Sequence, residues 1–124
     1  MKPNIIFLFV TAGATALLEG CSSQPPTVDD GIPNPERGRG KIIQYGCRAC
    51  HVIPGIPGKE TKIGPSMEGF GSREKIAGNL DNTEENVIRW IRNPRSINPR
   101  TGMPNMGVSE ADARDIAAYL RTLK

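Results

Sequence analysis

The stretch Cys47-Arg48-Ala49-Cys50-His51 is the most specific pattern in this chain of 124 residues. Two cysteines stand three positions apart and a histidine follows directly, so that one helical turn can present both thiols to the same group. This C-x-x-C-H spacing is typical of covalent haem attachment, in which the thiols bind the porphyrin edge and the imidazole binds the iron. The spacing therefore predicts one haem c, held by Cys47 and Cys50 with His51 as iron ligand.

Other chemistry for the two cysteines fits the sequence less well. A thioredoxin-like site needs alternating strands and helices, and the chain shows no such alternation. A zinc ribbon needs a second C-x-x-C pair or an H-x-H partner, and this chain has neither. A disulfide between Cys47 and Cys50 stays open as an alternative, but it leaves His51 without a role.

A haem bound by the only histidine needs a sixth ligand of another kind, and methionine is the usual one in electron carriers. One of the four methionines starts the chain, and Met67 follows the histidine too closely to reach the opposite side of a haem. Met103 stands between Gly102 and Pro104, which favour an extended backbone, whereas Met106 lies nearer the next predicted helix. We therefore expect Met103 to be the second axial ligand, with core packing as its alternative role.

Composition limits the remaining possibilities. The length allows one small domain, and aromatic residues make up only 5% of the chain while Gly and Pro number 14 and 11. The net charge of +3 comes without a basic run interleaved with aromatics, so we expect no nucleic-acid binding. A side-chain core of this size is marginal, and a porphyrin would supply the missing apolar mass.

The first 20 residues have the pattern of an export signal, with a short positive start and an apolar run. The sequence Leu18-Glu19-Gly20-Cys21 at their end resembles the lipobox of bacterial lipoproteins, although Glu19 departs from the usual small, uncharged residue. The resemblance implies that Cys21 is lipidated and anchors the protein to a membrane. An ordinary signal peptide that leaves Cys21 as a free thiol is the alternative.

Residues 21–34 are polar and rich in proline, which predicts a flexible tether that reaches up to ~40 Å from the lipid. We therefore divide the chain into a signal peptide (1–20), a lipidated cysteine with its tether (21–34) and a folded domain (35–124). The expected location is the periplasmic side, with the choice between inner and outer membrane left open.

The folded domain resembles the class I c-type cytochromes, which are small monohaem proteins with His and Met axial ligands. The resemblance rests on the C-x-x-C-H motif, Ile63-Gly64-Pro65, Trp90-Ile91-Arg92-Asn93-Pro94, Thr101-Gly102-Met103-Pro104 and a last helix with Tyr119-Leu120. It implies an all-α, small cytochrome c fold with three main helices around a covalently bound haem. It also implies that the Pro65 carbonyl accepts a hydrogen bond from His51 and that Trp90 donates one to a haem propionate. Either Gly38 or Gly40 would lie where the first and last helices cross.

Local sequence patterns predict where the three helices begin and end. No segment shows the alternation of apolar and polar residues that is typical of a strand. The first is expected from about Pro35 to Tyr45, the second from a cap at Asn82-Thr83 to Asn93, and the last from a cap at Ser109.

Together with the lipobox-like sequence, the resemblance to the c-type cytochromes implies a membrane-anchored, monomeric one-electron carrier of a respiratory chain rather than an enzyme. Its expected partners are redox proteins: a quinol-oxidising complex or dehydrogenase as donor and a terminal oxidase as acceptor. Two alternatives remain, namely a haem-bearing subunit of a larger dehydrogenase or oxidase complex and a haem protein with an open axial site for peroxide or a small gas. A cluster of arginines suits either a solvated helix face or a docking surface for an acidic partner; its members are Arg89, Arg92, Arg95 and Arg100.

Overall fold

The computed structural model describes residues 31–58, 61 and 63–124. Over these residues the chain forms helices α1 (Pro35–Gln44), α2 (Glu84–Arg92), α3 (Pro94–Ile97) and α4 (Glu110–Thr122), with strands β1 (Lys75–Ile76) and β2 (Leu80–Asp81). Two short 3-10 turns complete the elements, at Cys47–Ala49 and Phe70–Ser72. The predicted signal peptide, Cys21 and the tether up to residue 30 lie outside the described residues and stay predictions.

Each of the three long helices begins with a side-chain cap. Asn34, Thr83 and Ser109 each accept a backbone N–H of the first turn through a side-chain oxygen, at 2.9, 3.2 and 3.1 Å. Such caps satisfy donors that the helix itself leaves without a partner. The caps predicted near Thr83 and at Ser109 are therefore confirmed.

Helices α1 and α4 cross at Gly38. A Cβ atom on Gly38 would lie 2.0 Å from the carbonyl oxygen of Asp115, whereas one on Gly40 would meet nothing within 4 Å. One turn along α1, Ile42 is 1% exposed and packs in the core, while its neighbour Ile43 is 36% exposed. Gly38 is therefore the crossing glycine, and Ile42 is the core residue of this helix.

One apolar core joins the helices and the loop after the haem motif. Its buried members are Ile42, Ile53, Ile56, Met67, Phe70, Ile76, Val87, Ile88, Ile91, Val108, Ala113, Ile116, Ala117, Tyr119, Leu120 and Leu123. Across the described ranges, no helix has the length and apolar character needed to cross a bilayer.

The all-α prediction with three main helices is confirmed, and the structure adds a fourth helix and a hairpin. Strands β1 and β2 pair antiparallel over only two residues each, too short for an alternating pattern to be visible in the sequence. Ala77 and Gly78 turn the chain between them with φ of 51° and 97°. Helix α3 has four residues and begins at Pro94, which fits a first helical position.

Candidate haem-binding site

The haem motif lies directly after α1, in a tight turn. Gly46 has a φ of 70°, which ends the helix and begins the 3-10 turn Cys47–Ala49. The N–H groups of Cys50 and His51 both donate to the Cys47 carbonyl, at 3.2 and 3.1 Å. Both thiols are free and half-buried in this structure, and burial raises the pKa of the Cys47 thiol. The turn therefore presents two thiols and an imidazole within five consecutive residues.

The imidazole of His51 is held by the chain on one side. Its Nδ1 atom lies 2.8 Å from the carbonyl oxygen of Pro65, the contact that the resemblance implies. Because a carbonyl oxygen only accepts, Nδ1 must carry the hydrogen, and Nε2 is left as the nitrogen with a free lone pair. Nε2 is therefore the atom that can bind iron.

Gly64 makes this arrangement possible by its lack of a side chain. A Cβ on Gly64 would lie 2.5 Å from Cε1 and 2.7 Å from Nδ1 of His51. The Gly64 N–H also donates to the Cys50 carbonyl at 2.8 Å, which fixes the loop against the motif. The sequence marks Gly64 only as part of a resemblance, since this close approach joins segments that are distant along the chain.

The methionines of the described segments differ in their surroundings. Met67 is 9% exposed within the core, and Met106 is 43% exposed on the surface. Met103 is half-buried in a non-helical segment, and its N–H donates to the hydroxyl of Thr101 at 3.1 Å. A thioether that is neither packed in the core nor fully in water suits an axial ligand, and the assignment of Met103 stays a prediction.

Trp90 lies on α2 with its ring half-buried against the core. None of the side chains or carbonyls described here accepts a hydrogen bond from its indole N–H. Its proposed bond to a haem propionate stays a prediction.

The donor set of this site fits a covalently bound haem c. It comprises two free thiols at the attachment spacing, one imidazole whose Nδ1 is already occupied, and one half-buried thioether. In the described part of the chain, no three His, Cys, Asp or Glu side chains come together as a metal-ion cluster.

A polar contact links α1 to the start of α4 close to the motif. The hydroxyl of Tyr45 donates to Asp112 at 2.7 Å, and the Lys41 ammonium lies 3.0 Å from the same carboxylate. The hydrogen bond to Asp112, followed by burial, raises the pKa of Tyr45. Burial acts to raise the pKa of Asp112 as well, but its bonds from Tyr45 and Lys41 outweigh burial and hold that pKa below the usual value.

The predicted arginine cluster is exposed, and one of its four members is paired with a carboxylate. Arg92 lies 3.0 Å from Glu110, and Arg89 donates to the side-chain oxygen of Asn86 at 3.2 Å. Arg89, Arg95 and Arg100 have no carboxylate partner among the described residues. Two of these three charges, Arg95 and Arg100, lie in the segment that leads to Met103.

Comparisons with known proteins show what this chain is similar to. A family model described as Cytochrome c matches residues 36–124. The cytochrome c oxidase subunit 2 of Alkalihalophilus pseudofirmus is 37% identical over 110 residues, which is 88% of this chain and 31% of that protein. The subunit 2 of Bacillus sp. strain PS3 is 31% identical over 87 residues, or 67% of this chain and 24% of that protein. The chain thus spans about a third or less of these relatives.

A solved structure shares the fold. Cytochrome c2 from Rhodobacter sphaeroides superposes with a TM-score of 0.52 at 23% identity and covers 74% of this chain and 97% of its own. At that identity the likeness supports the architecture alone.

Proposed function

This chain belongs to the cytochrome c family and is a haem electron carrier, and we propose that it holds a single haem c through Cys47 and Cys50 with His51 and Met103 as axial ligands. The observation that carries the proposal is the contact between His51 Nδ1 and the Pro65 carbonyl at 2.8 Å. It fixes the ring and leaves Nε2 as the nitrogen that can bind iron.

The residues of the site would set the strength of the iron ligands and the reduction potential of the haem. When bound, the haem iron takes up and gives up one electron. The Pro65 carbonyl accepts a hydrogen bond from Nδ1 of His51, which makes Nε2 a stronger electron-pair donor to a metal. Met103 would supply a thioether ligand, which raises the reduction potential and would keep small ligands off the iron. The proposal gives no residue a role as acid, base or nucleophile, and we infer a carrier from the family to which the chain belongs.

We further propose that Cys21 is lipidated and that residues 21–34 tether the domain to the periplasmic side of a membrane. The lipobox-like sequence before Cys21 and the polar, Pro-rich segment after it support this proposal. Mass spectrometry of protein from native membranes tests it: a diacylglyceryl mass on an N-terminal Cys21 supports it, and an N-terminus elsewhere contradicts it.

The acceptor that we propose is a terminal oxidase of the respiratory chain, and the donor is a quinol-oxidising complex or a dehydrogenase. Support comes from relatives that are themselves named cytochrome c oxidase subunit 2. Because those relatives are about three to four times longer than the matched segment, a second candidate is a haem-bearing part of an oxidase complex. Isolation from native membranes distinguishes the two candidates. A free carrier purifies as a monomer, whereas a part of an oxidase complex purifies together with the oxidase.

Haem attachment tests the proposed function directly. The purified protein should carry the mass of one haem, and Cys47→Ala with Cys50→Ala should abolish that addition. Cys21→Ala in the same expression system is the matched control, because it removes a cysteine outside the motif and should retain the haem. A wild-type protein without covalent haem would contradict the proposal.

A further inference from the structure

One charged side chain is buried among the described residues, the carboxylate of Asp115 on α4, which is 5% exposed. Three hydrogen bonds satisfy it. The Arg37 guanidinium donates from Nε at 2.8 Å and from Nη2 at 3.1 Å, and the backbone N–H of Asn34 donates at 2.6 Å. A buried carboxylate is costly unless it is paired and hydrogen-bonded in this way. The proposed haem site gives this carboxylate no part, so its position needs another reason.

The donors to Asp115 lie where the predicted tether meets the folded domain. Asn34 directly precedes α1, and Arg37 is in the first turn of that helix. The Nη2 atom of Arg37 also donates to the carbonyl of Ile32, at 2.5 Å. These contacts join residues 32–34 to α4, across 81 positions of the chain between Asn34 and Asp115. We call the four residues Ile32, Asn34, Arg37 and Asp115 the strap.

Helix α1 has its own cap and its own crossing with α4. The side chain of Asn34 accepts two backbone N–H groups of the first turn, at 2.9 and 3.0 Å, and Gly38 provides the close approach to α4. Burial of apolar surface holds the residues before the helix only weakly, because Ile32 is 65% exposed. The particular contribution of the strap is therefore the attachment of residues 32–34 to α4.

The strap sets the place where the chain enters the domain. A cleft of about 270 Å³ lies beside it, lined by Ile32 on one side and by Glu110 and Arg114 of the first turns of α4 on the other. This end of α4 continues from the non-helical segment that contains Met103. The entry point therefore lies close to the end of the segment that carries the proposed axial ligand.

We propose that the strap makes residues 32–34 part of the folded domain and so restricts the orientation of the domain on the membrane. The inference rests on the proposed function, because it needs a lipid on Cys21 and the tether that follows. With the strap closed, the tether ends at Gly31. An open strap would lengthen the tether by ~10 Å and let the domain turn. The closed strap keeps the side that leads to Met103 toward the membrane, where a membrane-bound redox partner would be.

The test opens the strap without leaving a buried charge alone. Arg37→Gln combined with Asp115→Asn removes both charges at once, whereas either change by itself would leave an unpaired charge. The matched control combines Glu110→Gln with Arg114→Gln. That ion pair, at 2.8 Å, is exposed and borders the same cleft but is not part of the strap.

Two measurements on the haem-loaded, lipidated protein report the strap and the orientation separately. Hydrogen exchange at the Asn34 N–H reports the strap, and it should be about tenfold faster or more in the strap variant than in wild type. Linear dichroism of the haem absorption in oriented bilayers reports the orientation of the domain. Wild type and the control should show a net dichroism, and the strap variant should lose most of it.

A wild-type protein without dichroism overturns the proposal, and so does a strap variant that matches wild type in either measurement. If the strap variant fails to take up haem, Arg37→Lys decides in its place. Lysine keeps the charge but lacks the planar fork that binds Asp115 and the Ile32 carbonyl together, so part of the dichroism should be lost. Wild-type dichroism in Arg37→Lys would then overturn the proposal.

Failure of the proposed function would be seen separately, before either measurement. Mass spectrometry would show it as a wild-type protein without covalent haem or without a lipid on Cys21.

Discussion

Gly64 faces the imidazole of His51 so closely that a Cβ atom on it would lie 2.5 Å from the ring carbon Cε1. The contact explains why a glycine precedes Pro65. A side chain there would turn the ring or push the Pro65 carbonyl out of hydrogen-bonding distance. The orientation of the nitrogen that we propose as the iron ligand thus depends on a residue that has no functional side chain.

The first prediction concerns this contact. Gly64→Ala should lower the yield of haem-loaded protein several-fold and shift its midpoint potential, because the His51 ring can no longer keep its place against Pro65. Gly58→Ala is the control, since a Cβ on Gly58 would meet only ordinary contacts with Arg48, the nearest at 3.5 Å. Pyridine haemochrome absorbance and potentiometry measure both effects. A Gly64→Ala protein with wild-type yield and potential would contradict this account of the ring.

The second prediction uses two glycines of α1 that the sequence alone does not distinguish. Gly38→Ala should destabilise the folded protein by about 1–3 kcal/mol or more, because its methyl group would overlap the Asp115 carbonyl. Gly40→Ala should stabilise it by roughly 0.5–1 kcal/mol, since its site is open and alanine favours a helix. Denaturant unfolding of the haem-loaded proteins measures the free energies. Equal effects of the two changes would show that the helices do not cross at Gly38.

A third prediction follows from Tyr45 and Asp112. The pKa of Asp112 is lowered in the folded protein, so its contribution to stability is present above its unfolded pKa and is lost as the pH falls through the folded value. The pKa of Tyr45 is raised, so its contribution is complete below its unfolded pKa and is lost as the pH rises through the folded one.

Tyr45→Phe should accordingly lower the free energy of unfolding by about 1 kcal/mol at neutral pH. At alkaline pH the variant should lose less stability than wild type, because it has no phenol to ionise. Tyr119→Phe is the comparison, because the Tyr119 hydroxyl donates to the Pro54 carbonyl at 2.7 Å rather than to a carboxylate. Thermal unfolding as a function of pH measures both. If the stability of wild type and of Tyr45→Phe had the same pH dependence, the proposed effect of the Tyr45–Asp112 hydrogen bond would be contradicted.

The fourth prediction concerns partner docking. If Arg95 and Arg100 contact an acidic redox partner, the bimolecular rate of electron transfer should fall as ionic strength rises. Replacing both by Ser should lower the rate at low salt several-fold and flatten the salt dependence. Arg114→Ser is the control, because Arg114 already pairs with Glu110 at 2.8 Å. An electron-transfer rate that does not change with ionic strength would show that these arginines do not contact the partner.

The features that could be predicted from the sequence are local in the chain. The C-x-x-C-H motif and the caps at Thr83 and Ser109 each depend on residues a few positions apart. The closeness of Gly64 to His51 and the choice of Gly38 over Gly40 depend on contacts between separate segments, which the family resemblance suggests but no local pattern shows. The hairpin of β1 and β2 was missed because two-residue strands show no period.

The axial assignment of Met103 is the central claim, and the far-red charge-transfer band of the oxidised protein tests it most directly. This band arises from a methionine sulfur on ferric iron, so wild type should show it and Met103→Ala should lose it and gain affinity for carbon monoxide. Met67→Leu and Met106→Leu should keep the band, since one side chain is buried in the core and the other is on the surface. A wild-type protein without the band, or a Met103→Ala protein that retains it, would contradict the account.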